Sequence, residues 1–122
     1  MALIADYIFD LALAELDTAT TTLYITNAEA TTYAQASSTF KLGTKTALSI
    51  GAPADRTPNG RKVTIAAITD GVVDSTGTAT HWAITKAGTT LMATGALSAS
   101  QAVTATNTFT LAAFDIGIPD AV

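Results

Sequence analysis

The sequence contains no cysteine, and only 13% of its 122 residues are charged. Without cysteine the chain can form no disulfide bond, no zinc–thiolate site and no thiol nucleophile. The charged share is about half of the ~25% that is usual for globular proteins. Disordered chains are typically rich in charge and poor in apolar residues, whereas 48% of this chain is hydrophobic. The sequence therefore predicts a folded protein.

Histidine and basic residues are also scarce. His81 is the only histidine, so no second imidazole is available to share a metal ion with it. The net charge is −4, and among the six basic residues only Arg61 and Lys62 are adjacent. Because phosphate binding needs clustered Lys and Arg, no nucleic-acid partner is predicted.

The sequence shows no motif of catalysis or cofactor binding. The eight glycines form neither a G-x-G-x-x-G nor a Walker A pattern, and no serine lies in a G-x-S-x-G context. The run from Asp70 to Gly77 does not fit an EF-hand loop, because glycine falls at its second position and His81 occupies the place of the bidentate acid. We therefore predict that the chain is not an enzyme and has no catalytic, cofactor-binding or metal site.

Threonine and alanine dominate the composition. The chain has 24 threonines and 25 alanines. A folded chain with so few charges must cover its surface with small residues, which lose little side-chain entropy or solvation when that surface is buried again. Such a surface suits a subunit packed in an assembly. It also fits a monomeric, threonine-rich β-sandwich.

The N-terminal stretch has the periodicity of an amphipathic helix, which we predict over residues 2–16 of an arm at 1–17. Its apolar stripe follows the i, i+3, i+4, i+7 pattern and consists of Ile4, Tyr7, Ile8 and Leu11, widened by Leu3, Phe9, Leu13 and Leu16. The helix either packs on its own subunit or is an arm that docks on a neighbour. Its three acidic residues and the lack of a basic region are not typical of a secretory signal or a membrane span.

Short runs rich in Thr, Val and Ile predict strands across residues 22–118. We place them at residues 23–26, 46–50, 63–69, 78–85, 89–97 and 108–118, with one helical turn near residues 32–36. The runs at 63–69, 78–85 and 89–97 predict an antiparallel meander in which Trp82 and Ile84 face inward. Residues 1–122 are expected to form a single domain of mainly β class, an antiparallel β-sandwich or small barrel with a short N-terminal α-helix.

The longest predicted loop is GAPADRTPNG, at residues 51–60. Its Pro-Asn-Gly run is a strong turn signal, because proline presets φ and both Asn and Gly tolerate positive φ. Asp55 and Arg56 in this loop form either a solvated ion pair or a contact point for a partner. We predict that the helix and this loop supply a partner contact surface, which consists of Ile4, Tyr7, Ile8, Leu11, Asp55, Arg56, Pro58 and Asn59.

Five segments spread over residues 26–122 are distinctive in their overall sequence. They are TNAEATTYAQAS at residues 26–37, KLGTKT at 41–46, GAPADRTPNGRKVTI at 51–65, TATHWAITKAGTTLMATGALSASQAV at 78–103 and FTLAAFDIGIPDAV at 109–122. In these segments the chain resembles short virion-associated structural proteins of tailed bacteriophages. The resemblance implies a small head or tail protein that is located in the virion and made in the host bacterial cytoplasm.

This resemblance and the composition favour a capsid decoration (cement) protein that binds the lattice of the major capsid protein. Its expected partners are that protein or neighbouring virion subunits, and it is expected to be a homo-oligomer, for example a trimer, without nucleic-acid or membrane partners. One alternative is a tail, baseplate or fibre component. Another is a carbohydrate- or host-surface-binding module with Trp82, Tyr24 and Tyr33 as an exposed aromatic platform.

Overall fold

A computed structural model describes residues 5–16, 21–86 and 90–119, which contain one α-helix and nine β-strands. The helix α1 spans Asp6–Ala14, and a π-helical turn spans Gln35–Thr39. The strands are β1 Thr21–Thr26, β2 Lys41–Thr46, β3 Ala54–Asp55, β4 Arg61–Ile65, β5 Ile68–Val73, β6 Gly77–Lys86, β7 Thr90–Val103, β8 Thr108–Leu111 and β9 Phe114–Ile118. In the described part of the chain, no helix is long and apolar enough to cross a membrane.

The strands form two antiparallel sheets. The large sheet has six strands in the order β7-β6-β1-β2-β5-β8 and curls into a half-barrel, while the small sheet has the order β3-β4-β9. The predicted fold class, mainly β with a short N-terminal helix, is therefore confirmed.

The predicted meander is only partly correct. Its second and third runs form the hairpin β6–β7, which pairs from Lys86 and Thr90 to Gly77 and Val103. Its first run divides into β4 and β5, which lie in different sheets, and β6 pairs with β1 instead. Local patterning shows that a run is extended, but the partner of a strand is chosen by contacts that are distant in sequence.

Two strand pairs form one bent ribbon that joins the sheets. In the small sheet β4 and β9 pair from Arg61 and Ile118 to Ile65 and Phe114, and the same register continues in the large sheet, where Ile68 of β5 pairs with Leu111 of β8. In both segments the strand pairing is interrupted at two consecutive alanines, residues 66–67 in one and 112–113 in the other. The small side chains leave room for a sharp corner there, and this corner brings the two sheets together around one core.

The main core lies inside the half-barrel. Its fully buried large side chains include Leu23, Ile25, Ile65, Ile84 and Phe109, which come from both sheets. They lie at alternate positions of their strands, as the period of a half-buried strand requires. The prediction that Leu23 and Ile25 share one face of β1, and that Ile84 faces inward, is confirmed.

A second, smaller cluster covers the opposite face of the large sheet. Ala30, Ala36 and Ala83 are buried there, and Tyr24 packs against them under the connection between β1 and β2. The predicted helical turn in this connection is present and extends to Thr39. The strand predicted at residues 46–50 is not continuous: Thr46 is the last residue of β2 and pairs with Thr22, and Ile50 forms an isolated bridge to Ile65.

Candidate functional site

Helix α1 has two apolar faces. Phe9, Leu13 and Leu16 are buried, whereas Tyr7, Ile8 and Leu11 are 69%, 53% and 52% exposed. At 3.6 residues per turn these two groups point to opposite sides of the helix axis. The helix thus packs on its own subunit through the residues that were predicted only to widen the stripe. The predicted contact residues Tyr7, Ile8 and Leu11 remain accessible, and Ile4 lies outside the described residues.

Arg61 joins the helix to the residue 51–60 loop. Its Nε donates a hydrogen bond to Asp10 Oδ1 at 2.8 Å and its Nη2 donates to Asp10 Oδ2 at 3.2 Å. Its Nη1 donates to Asp55 Oδ1 at 2.5 Å. These bonds, chiefly those to Asp10, raise the pKa of the Arg61 guanidinium. The two segments that the sequence predicted as contact surface are thereby held side by side.

The predicted pairing of Asp55 with Arg56 is wrong. Asp55 pairs with Arg61, while Arg56 Nη1 donates to the carbonyl oxygen of Asn59 at 3.0 Å. The backbone N–H of Arg56 also donates to the carbonyl of Gly60 at 2.9 Å, which closes the loop. Arg56 therefore shapes the loop tip, where the side chains of Pro58 and Asn59 are exposed.

A small polar depression lies beside this loop. Its volume is about 380 Å³, and it is lined by Arg56, Thr57, Lys62, Asp115 and Gly117. The Thr64 hydroxyl donates to Asp115 Oδ1 at 2.6 Å, and Lys62 Nζ donates to Asp115 Oδ2 at 2.9 Å. These bonds, that of Thr64 first, hold the pKa of the Asp115 carboxyl below its ordinary value. Each carboxylate oxygen accepts one of these bonds and the pKa is lowered, so Asp115 is poorly suited to accept a proton from a substrate.

We expect Thr64→Val to raise the pKa of the Asp115 carboxyl toward its ordinary value of 3.8, because the larger of the two stabilising hydrogen bonds is lost. In the wild type the lowered pKa stabilises the fold above about pH 4, and this contribution disappears as the pH falls through the pKa of the folded state. A carboxyl-carbon NMR titration measures the shift. Thr64→Ser keeps the hydroxyl and should keep the low pKa; an unchanged value in Thr64→Val would contradict the assignment.

A larger cavity borders the corner at residues 112–113. Its volume is about 490 Å³, and its walls come from β7 and from the end of β8 and the corner that follows it. Trp82 and Phe114 form its aromatic floor, with ring centroids 4.7 Å apart and planes inclined by 36°. Trp82 lies flat against β7, where a Cβ on Gly95 would come within 2.6 Å of the indole ring. The predicted core anchor Trp82 is therefore half-buried and lines an open cavity.

The three aromatic residues of the predicted carbohydrate platform do not share a surface. Trp82 pairs with Ile25 of β1 and therefore lies on the inner face, whereas Tyr24, the neighbour of Ile25, lies on the outer face. Burial raises the pKa of the Tyr24 phenol, and the adjacent Tyr33 adds to this effect. The platform as predicted is wrong, and only Trp82 borders the cavity.

His81 has a local polar partner. Its Nδ1 lies 2.8 Å from the Thr80 hydroxyl, and no group of three or more metal-binding side chains occurs among the residues that the structure describes.

Comparison of the chain with protein-family models, curated proteins and solved structures found no significant match.

Proposed function

We propose that this protein is a non-enzymatic structural component of a tailed-bacteriophage virion, most specifically a capsid decoration protein that binds the lattice of the major capsid protein. The observation that carries this proposal is the outer face of α1. Three large apolar side chains, Tyr7, Ile8 and Leu11, are more than half exposed there while the other side of the helix is anchored in the core.

A fixed apolar face is well suited to binding a partner. The hydrogen bonds of Arg61 to Asp10 and Asp55 hold the helix and the loop in place before any partner arrives. Ordering costs on binding are then small. A specific interface needs roughly 800 Å² per partner, so the exposed loop residues Pro58 and Asn59 are expected to contribute together with the helix.

Weak individual contacts are sufficient on a capsid. Many copies bind a symmetric lattice, and multivalency raises the overall strength without new contacts in each copy. The low charge and the surface of small residues fit such packing, because they limit the cost of desolvation. The same argument applies to a tail, baseplate or fibre component and to a homo-oligomer such as a trimer. Immunogold labelling of virions distinguishes a head location from a tail location.

The experiment replaces the outer face of α1. The triple variant Tyr7→Gln, Ile8→Gln, Leu11→Gln keeps good helix formers but removes the apolar surface. Phage particles that lack the protein are mixed with the purified variant, and bound protein is measured by co-sedimentation. We expect binding at least about tenfold weaker than that of the wild type, which corresponds to about 1.4 kcal/mol.

A matched control is Val72→Gln, because Val72 is also 53% exposed but lies on β5 of the large sheet. This variant should bind particles as the wild type does. The proposal fails if wild-type protein binds no particles and is missing from virions by mass spectrometry. The assignment of the interface to α1 fails if the triple variant binds normally.

A carbohydrate-binding module is the second candidate, and the cavity beside Trp82 favours it. An aromatic ring next to the side-chain amide of Gln101 and the hydroxyl of Thr110 is a combination that sugar rings can use. Because Trp82 is the only tryptophan, its fluorescence reports on this cavity alone. A saccharide panel that leaves the fluorescence unchanged, together with a glycan array without hits, would exclude this candidate.

A further inference from the structure

The two terminal strands of the half-barrel, β7 and β8, are consecutive in the chain but are not paired. A short turn at residues 104–107 connects them, closed by a hydrogen bond from the N–H of Asn107 to the carbonyl of Thr104. Consecutive antiparallel strands with such a connection usually form a hairpin. Here, among the described strands, β7 pairs only with β6 and β8 only with β5. Each therefore presents an outer edge of main-chain donors and acceptors.

One side chain spans the gap between these edges. Gln101 Nε2 donates to the carbonyl oxygen of Thr110 at 3.0 Å, close to the turn. Beyond this bridge the two strands enclose the cavity of about 490 Å³. We call this gap the seam, defined by Trp82, Leu97, Gln101, Thr110, Leu111 and Phe114.

Most of the part of β7 that forms one wall of the seam does not pair with β6, its neighbour in the sheet. Ala79 of β6 pairs with Gln101, but the next paired residue, His81, pairs with Ala96. Residues 97–100 therefore form a large bulge that has no ladder partner on β6. Bulges of this kind re-aim a strand edge and often lie beside functional sites.

The seam is uncharged. Among the residues that the structure describes, none that lines it carries an ionisable acidic or basic group, and its floor is the Trp82–Phe114 pair. Burying a charged side chain there would carry a desolvation cost without a compensating partner. An occupant that matches this lining has polar main-chain groups for the strand edges and an uncharged, apolar side chain for the floor.

We propose that the seam receives an extended, uncharged segment of a partner chain, which adds as a strand between β7 and β8. Insertion of one strand needs edges about 9.5 Å apart, twice the usual spacing of about 4.8 Å between neighbouring strands. The Gln101 bridge gives way or shifts, the segment pairs with an exposed edge, and an apolar side chain packs on Trp82. Strand addition of this kind obtains its affinity from main-chain hydrogen bonds and its specificity from side-chain cavities.

This inference rests on the proposed virion role for the identity of the partner, since a terminal arm of a neighbouring virion subunit is the expected source of the segment. It does not rest on the outer face of α1, which is a separate surface. A sugar would use the aromatic floor but not the strand edges. If a second copy of this chain occupied the seam, the protein would self-associate in solution.

The test uses a displayed library of decapeptides built from Val, Ile, Thr, Ser, Ala and Phe, selected against the intact protein. Synthetic peptides from the selection are titrated while the fluorescence of Trp82 is recorded. Amide hydrogen exchange is then measured with and without peptide. We expect a fluorescence change and slower exchange of amides in residues 97–101 and 108–111.

Two blocking variants test the location from opposite walls. Thr110→Phe and Ser98→Phe each place a ring in the cavity at an exposed position, and each should weaken peptide binding at least tenfold. Ala54→Phe is the control, because Ala54 is an exposed strand alanine that does not line the cavity. Circular dichroism and thermal unfolding check that all three variants fold. If one blocking variant does not fold, the other by itself tests the location of peptide binding.

The inference is overturned if no selected peptide binds, or if binding is unaffected by both blocking variants. It is also overturned if Trp82 responds to saccharides but not to peptides, or if the wild type is a dimer that the blocking variants dissociate. Particle binding is measured separately. If the protein binds no particles but a selected peptide binds the seam, the virion role fails and the present inference stands. If the protein binds particles but no selected peptide binds, only the inference about the seam is refuted.

Discussion

Replacing Phe109 by alanine is expected to lower the free energy of unfolding by about 3–5 kcal/mol, the usual cost of removing a large buried aromatic side chain. Phe109 is 2% exposed and lies in the main core beside both sheets. Denaturant unfolding measures the loss. Thr108→Ala, an exposed change in the same strand, should cost less than about 1 kcal/mol. Comparable costs for the two variants would contradict the packing described here.

A double-mutant cycle sharpens this prediction. A Cβ on Gly71 would lie 2.6 Å from Phe109 Cε2 and even closer to two other ring atoms, so Gly71→Ala should strongly destabilise the wild type. In the Phe109→Ala background the new methyl group has space. We expect the summed losses of unfolding free energy in the two single variants to exceed the loss in the double variant by about 1–3 kcal/mol. Additive costs would show that the ring and Gly71 are not in contact.

Gly60→Ala is expected to destabilise the small sheet by more than about 2 kcal/mol. The left-handed conformation of Gly60, with φ +94°, alone costs an L-residue roughly 1–2 kcal/mol. An added Cβ would also lie 2.7 Å from Pro119 Cα and closer still to the carbonyl of Ile118. These are backbone atoms at the end of β9, so they cannot move aside as a flexible side chain could.

Gly51→Ala is the matched control at the other end of the same loop. Its nearest obstacle would be the carbonyl oxygen of Thr64 at 3.9 Å, which is ordinary contact. Because alanine restricts the unfolded chain, this variant should stabilise the protein by about 0.4–1 kcal/mol. We therefore expect the two substitutions to change the free energy of unfolding in opposite directions, as measured by thermal or denaturant unfolding. Changes in the same direction would contradict this explanation.

Much of the local structure follows from short-range pattern. The helix at Asp6–Ala14, the strand at Leu23–Thr26 and the turn that ends at Gly60 were all predictable, because helix period, strand alternation and turn chemistry act over a few residues. The apolar stripe of the helix was less predictable. Apolar residues lie on both sides of α1, so periodicity alone does not decide which face meets the core.

The candidate sites depended on contacts that no local pattern encodes. An ion pair between Asp55 and Arg56 is one of the two interpretations that the sequence allows, but the partner of Asp55 is Arg61, which also binds Asp10 from a segment far away in the chain. The sequence places Trp82 in the core because it shares the inward face of its strand with Ile84. Trp82 does pack against the main core, but it is only half-buried and also lines the seam, beside the β7 bulge at residues 97–100.

By itself the sequence determined that this is a folded, mainly β protein with an N-terminal helix, little charge and no visible motif for catalysis. Those properties follow from composition and from periods of two and 3.6 residues, which do not depend on distant partners. Only the tertiary structure decided that the 61–73 segment bends at an alanine pair to serve two sheets, that Arg61 holds helix and loop together, and that β7 and β8 stand apart. Strand partners and free edges result from the competition of all segments for one core, which is a property of the whole chain.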